Sequence, residues 1–134
     1  MTTELTIQMQ VADYLRLRYP SVIFHSDFGS GIKLTPGQAI KQKRLQGGHR
    51  AWPDMFIAEP RNGKHGLFIE LKRDGVKIYT KKGPLVADSH IREQFDMLSD
   101  LRQRGYEAQF ACGFDAAVEL IDSYLGGPAE KVEF

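Results

Sequence analysis

Two stretches decide the fold: Pro53-Asp54-Met55-Phe56-Ile57-Ala58 and Leu67-Phe68-Ile69-Glu70-Leu71-Lys72, with Glu70 sixteen residues after Asp54. Both read as strands, Met55 to Ala58 and Leu67 to Lys72, because apolar, β-branched and aromatic residues dominate them. Between them Pro60-Arg61-Asn62-Gly63-Lys64-His65 is turn-rich, so the pair is expected as an antiparallel hairpin. Along the second strand Leu67, Ile69 and Leu71 fall on one face, toward a core. Glu70 and Lys72 share the other face.

Register sets a condition. A two-residue Asn62-Gly63 turn carried straight into the strands would put Asp54 opposite Leu71, on the wrong face for Glu70. If Asp54 and Glu70 work together, the loop must be longer or a bulge must shift the parity.

Two carboxylates beside a lysine suit phosphodiester hydrolysis. Carboxylate oxygens suit Mg²⁺ or Mn²⁺, which neutralise phosphate charge and lower the pKa of an attacking water. An ammonium beside them orients the water or stabilises developing charge. The bland alternative is a half-exposed strand whose charged residues form surface salt bridges. Glu-Leu-Lys alone does not separate the two, and the order Pro-Asp, turn, Glu-x-Lys favours the first.

Working outward, Thr3 to Tyr19 has apolar Leu5, Met9, Ala12, Leu15 and Leu17 at mostly helical spacing and is stopped by Pro20. Val22 to His25 reads as a short strand and Asp27 to Lys33 as glycine-rich loop. Thr35 as N-cap with Pro36 at the first position opens a short basic helix to Gln46, ended by Gly47-Gly48. Asp74 to Ala87, rich in Lys and Gly, reads as a flexible loop over the site. Ser89 is the expected N-cap of a helix to about Arg104, with Ile91, Phe95, Leu98 and Leu101 as its stripe. Glu107 to Cys112 is a further strand and Phe114 to Leu125 a last helix, before a Gly126-Gly127-Pro128 breaker and a tail over 126–134 expected to be flexible.

With 134 residues, 42% of them apolar, the chain suits a single domain over 1–134. One cysteine, Cys112, excludes an internal disulfide framework and fits a reducing cytoplasm better than an oxidising compartment. Neither a signal-peptide core nor a membrane-length apolar run is present, so no membrane partner is expected. The net charge of +1 conceals an asymmetry: 13 Lys and Arg against 5 Asp and Glu between Lys33 and Arg92, and 5 against 12 elsewhere. A basic centre around the carboxylates favours a phosphate backbone as partner, against the alternative of merely solvated loops. The four histidines show no ligand spacing. Trp52 is read either as boundary packing or as a platform for a base.

Pro53-Asp54, Glu70-Leu71-Lys72 and Gln94 on the following helix, in this order of elements, resemble the PD-(D/E)XK nuclease superfamily, and within it the VRR-NUC family in its small stand-alone, phage-type form. The likeness covers roughly 4–124. It implies an α/β fold, a restriction-endonuclease-like αβββαβ core with a central mixed sheet flanked by helices. It also implies Mg²⁺ or Mn²⁺ as cofactor, a homodimer, and action on branched DNA such as four-way (Holliday) junctions, in the host cytoplasm if phage-encoded.

Carried onto this chain, the resemblance makes Asp54, Glu70 and the backbone carbonyl of Leu71 metal ligands, Lys72 the catalytic lysine and Gln94 a residue beside the site. Glu4 matches an acidic first-helix residue that some relatives direct to the metal; the competing reading is a favourable first-turn carboxylate. Lys41, Lys43 and Arg44 occupy the region of the family's Val-Arg-Arg string, which is absent. Ala51-Trp52 stands where relatives often carry glycine two before the aspartate. Lys77, Lys81 and Lys82 of the loop, with His49 and Arg50, complete the expected DNA contacts. Two other functions compete: a nuclease of the same fold acting on duplex or flap DNA in repair or restriction, and a non-catalytic DNA-binding module.

Overall fold

In the computed structural model, residues 3–27, 33–47 and 51–127 are described. The elements run α1 (Glu4–Arg18), β1 (Phe24–Ser26), α2 (Pro36–Leu45), β2 (Met55–Ile57), β3 (Leu67–Lys72), α3 (Ser89–Gln103), β4 (Glu107–Cys112) and α4 (Phe114–Leu125). The strands form one sheet in the order β1-β2-β3-β4, antiparallel until β3 and β4, which pair in parallel through the α3 crossover. The sheet is mixed, with helices on both faces.

Local chemistry sets the helix ends. Thr3 caps α1, accepting from the Thr6 N–H at 3.1 Å. Thr35 and Gln38 form a reciprocal capping box at α2, with Pro36 in the first turn. At α3 the cap is Asp88 rather than the expected Ser89: its carboxylate accepts from the N–H groups of His90 and Ile91 at 2.9 and 3.1 Å. The first strand is Phe24–Ser26, displaced toward the C-terminus from the expected Val22–His25.

Two apolar clusters flank the sheet. On one face Ile7, Val11 and Leu15 of α1 and Ala117, Ile121 and Leu125 of α4 pack on Ile57, Leu67, Ile69 and Leu71. On the other, Met97, Leu98 and Leu101 of α3 pack on Phe68 and Ala108. The α1 stripe therefore differs from the expected one. Met9 and Leu17 are exposed, and the buried residues lie four apart at Ile7, Val11 and Leu15. Apolar residues occur all round this helix, so spacing alone did not select the packed face. Phe95 is likewise only half-buried, flanked by the guanidinium groups of Arg92 and Arg102 at 5.8 and 5.7 Å from its ring centre.

The segment after β3 is more ordered than its composition suggests. Ile78 is buried, the Val86 N–H donates to the Ile78 carbonyl at 3.0 Å, and Tyr79 bridges to Leu85 around a turn closed by the Gly83 N–H on the Thr80 carbonyl. An apolar anchor and a small hairpin thus replace the expected flexible loop. Residues 128–134 of the expected tail lie outside the described residues, as do 28–32 of the glycine-rich loop.

Hairpin parity meets the condition set by the sequence. Asn62 and Gly63 have positive φ (53° and 76°), and Arg61 pairs with Lys64 around them, the two-residue turn the sequence suggests. Yet Ile57 pairs with Leu67 and Met55 with Ile69. Three residues, 58–60, therefore lie opposite two, 65–66, and this extra residue shifts the pairing by one. Gly66 permits the close approach there: a Cβ on it would lie 2.7 Å from the Phe56 ring and 2.8 Å from the Ile57 carbonyl oxygen. The Glu59 carbonyl, freed by the bulge, accepts from the Tyr124 hydroxyl at 2.7 Å.

Candidate active site

One step beyond Met55↔Ile69, the shifted register brings Asp54 level with Glu70. Glu70 and Lys72 alternate with the residues of the α1/α4 cluster, so both project toward the face that α3 covers, as Phe68 does. None of the three charged groups is at the surface. Asp54 is 7% exposed, Glu70 4% and Lys72 6%, and the bland alternative of an exposed, salt-bridged strand does not hold. Every position of β3 is buried.

Electrostatics follow from that burial. Desolvation pushes the Glu70 carboxyl up to about 10; a hydrogen bond with Asp54 and that residue's charge push the same way, Lys72 opposes them, and Glu4 adds a smaller upward push. Asp54 and Glu70 are buried and hydrogen-bonded to each other, and Lys72 opposes their shared negative charge only in part. Asp27, on the edge of the same region, is also raised, mainly by its partial burial.

The main chain at this point is arranged by proline. The Leu71 N–H donates to Asp54 Oδ2 at 2.8 Å rather than to a strand carbonyl. Lys72 turns its carbonyl to the other side, accepting from the Gly113 N–H, so the N–H and C=O of Leu71 face β2. β2 begins at Met55 and the chain bends at Asp54, so the ladder ends before Pro53, which has no N–H to give the Leu71 carbonyl. That carbonyl therefore lies on the carboxylate side without a ladder donor from Pro53.

Gln94 sits on α3, the helix covering this face. It is buried, its Nε2 lies 3.2 Å from the His90 ring, and its Oε1 has no hydrogen-bond partner among the described residues. The buried oxygens on this side of the sheet are therefore the Asp54 and Glu70 carboxyls and the Gln94 amide oxygen, with the Leu71 carbonyl turned toward β2, and oxygen is the donor type that hard cations such as Mg²⁺ or Mn²⁺ take. Glu4 acts on Glu70 only as the weakest of its charge neighbours, and among the described residues no group of three or more His, Cys, Asp or Glu side chains could hold a metal.

One residue at the site escaped sequence reasoning. Gln8 of α1 is buried, and its amide nitrogen lies 2.7 Å from Ser26 Oγ, 2.8 Å from the Asp27 carbonyl and 3.4 Å from the Asp54 carbonyl. The Asp27 N–H in turn donates to the Asp54 carbonyl at 2.9 Å. Gln8 thus ties α1 to the strand ends that carry Asp54. Its signal was a polar residue three before Val11 and seven before Leu15, on the packed side of α1.

With this geometry established, a comparison with solved structures identifies the architecture. The chain matches a solved structure described as a "VRR_NUC domain protein" with a TM-score of 0.66 and 25% sequence identity, over 94% of this chain and 91% of that one. The fold is that of the VRR-NUC family. No protein-family model matches the sequence, and no curated protein does. A VRR-NUC fold is a restriction-endonuclease-like α/β fold, a nuclease-type domain, and its mixed four-stranded sheet between helices is the one described above.

Of the basic residues expected to meet DNA, Lys41, Lys43 and Arg44 are exposed on α2, a helix with no buried residue, and Lys77, Lys81 and Lys82 are exposed on the segment after β3. His49 and Arg50 lie outside the described residues. Cys112 is half-buried, with its thiol raised chiefly by burial. Among the described residues no helix is long and apolar enough to cross a membrane.

Proposed function

We propose that this chain is a divalent-cation-dependent, structure-selective DNA endonuclease of the stand-alone, phage-type kind, acting as a homodimer on branched DNA such as four-way junctions. The observation that carries the reading is the buried pair Asp54 and Glu70, brought level by a bulge, with Lys72 on the same strand face. A buried like-charge pair is costly to keep unless a cation uses it.

Asp54, Glu70 and the Leu71 carbonyl would hold Mg²⁺ or Mn²⁺, with the Gln94 amide oxygen beside them. Such a cation would supply charge neutralisation at the phosphate and lower the pKa of the attacking water. Lys72, buried on the same strand face as Glu70, would orient the attacking water or stabilise charge on the phosphoryl oxygens in the transition state. Lys41, Lys43 and Arg44, with Lys77, Lys81 and Lys82, bind the phosphate backbone and give salt-dependent affinity. A twofold dimer suits a junction because two strands of like polarity must be cut symmetrically.

The test is cleavage of a labelled four-way junction with Mg²⁺ or Mn²⁺, beside linear duplex, single strand and flap, with Glu70→Ala and Lys72→Ala as controls. Metal-dependent junction cutting lost in both variants supports the proposal. Preferential cutting of duplex or flap overturns the junction assignment, and a wild-type rate in either variant overturns the site. No cleavage by folded protein that still binds DNA leaves a non-catalytic binding module.

A further inference from the structure

Trp52 stands two residues before Asp54, and the structure gives it a setting that the hydrolytic roles do not use. Its ring meets Phe68 edge to face, with centres 5.1 Å apart, and is 46% exposed. Phe68 and Glu70 are alternate residues on one face of β3, so Trp52 packs about 7 Å along the strand from the carboxylate pair.

Beside Trp52 opens a cavity of ≈ 510 Å³. Met97 and Leu101 of α3 give it an apolar wall, Leu45 and Gln46 at the end of α2 stand across from them, and Asp27, Asp100 and Arg104 add polar groups. Its size falls within the about 300–1,000 Å³ of small-molecule sites, and an aromatic wall with a few polar groups is their usual lining. The Asp27 N–H bonds to the Asp54 carbonyl, which makes the cavity rim continuous with the carboxylate site.

Charge selects the occupant. Asp27 and Asp100 outnumber Arg104 on the wall, which disfavours a phosphate inside, while the exposed cations Lys41, Lys43 and Arg44 lie immediately before Leu45 and Gln46 and do not line the cavity. A nucleotide matches that division: backbone on α2, uncharged base within. Carboxylates also accept from the exocyclic amino group of a base, as they do from cytosine in duplex readout.

We propose that this cavity binds one unpaired, amino-bearing nucleobase of the DNA strand near the scissile phosphate, stacked on Trp52. Unpaired or unstacked bases distinguish a branch point or single strand from continuous duplex, so the pocket would contribute to structure selectivity. This inference rests on the reading of the chain as a DNA-cutting enzyme.

Trp52 is the chain's single tryptophan, so its emission reports directly on the cavity. In the absence of divalent cation, wild-type protein is titrated with single-stranded oligo-deoxycytidine and with an abasic oligomer of equal length and charge. Saturable quenching is expected from the first and little from the second, with affinity at least about 5-fold tighter for the base-bearing strand. By anisotropy of labelled strands, Trp52→Leu should lose that preference while binding the abasic oligomer unchanged, and Trp52→Phe should recover part of it.

Equal quenching by the abasic strand overturns the proposal, as does a folded Trp52→Leu that keeps the preference. Emission that shifts with protein concentration in the absence of DNA also overturns it, and assigns the cavity to a second copy of the chain. Metal-dependent cleavage by the wild type is scored separately. Cleavage without base preference removes the pocket alone; base-dependent quenching without cleavage on any substrate removes the nuclease reading alone.

Discussion

At the end of the β2–β3 ladder the side chain of Asp54 meets the main chain of Leu71, Oδ2 accepting from the Leu71 N–H at 2.8 Å, directly after Pro53, a residue with no N–H to extend the ladder. The Leu71 N–H is taken by the Asp54 carboxylate instead of a strand carbonyl. A proline ahead of the aspartate thus has a structural use: it ends the ladder just before the Asp54 carboxylate takes the Leu71 N–H.

Pro53→Ala supplies a main-chain donor at the end of the ladder, where it can compete for the Leu71 carbonyl. The variant is expected to fold and to bind Mn²⁺ about 10-fold more weakly, the lower end of the usual cost of disturbing a metal's surroundings. Calorimetric titration with Mn²⁺ checks this; unchanged affinity would remove the Leu71 carbonyl from the ligand set.

Glu70 sets the pH response of the metal-free protein. An unfolded glutamate titrates near 4.5 and the folded group near 10, so between those values the folded chain keeps a proton that the unfolded chain has released. Stability therefore falls as pH rises through that window. Melting temperature in EDTA should decline from pH 5 to pH 9, and Glu70→Gln should flatten the decline while abolishing cleavage. Added Mn²⁺ must displace the shared proton, so its stabilising effect should grow with pH. A metal-free profile identical in wild type and Glu70→Gln would contradict the buried-pair electrostatics.

Gly66 is the tightest point of the bulge that brings Asp54 level with Glu70. Gly66→Ala forces a methyl group against the Phe56 ring and the Ile57 carbonyl, at an expected cost of about 1–3 kcal/mol. Chemical denaturation measures it. Because the bulge fixes parity, the variant should also lose cleavage activity beyond its loss of folded protein, whereas Tyr124→Phe, which removes one hydrogen bond to Glu59, should cost about 0.5–1.5 kcal/mol and leave activity nearly intact.

Gln8→Leu keeps the volume of a buried side chain and removes the donor shared by Ser26, Asp27 and Asp54. Leaving buried acceptors unsatisfied should cost about 1–3 kcal/mol. If Gln8 positions Asp54, kcat should fall more than stability alone explains, with KM for DNA little changed. Equal kcat for folded wild type and variant would confine Gln8 to packing.

Sequence by itself determined the elements and the chemistry at particular positions. Caps and breakers such as Thr35, Pro36 and Pro20, period-two alternation in Leu67 to Lys72, and the turn residues Asn62-Gly63 act over a few neighbours, and local reading recovers them. The same locality singled out Asp54, Glu70 and Lys72 as the candidate set and posed the parity condition without resolving it. Tertiary structure resolved it through Gly66, Phe56 and Tyr124, residues that meet only once the sheet and α4 are packed. It also decided which side of α1 is buried, made Glu70 and Lys72 interior, and joined Gln8 to strand ends far along the chain. Burial and long-range hydrogen bonding depend on what arrives from elsewhere in the sequence, and spacing along one segment carries no record of its partner.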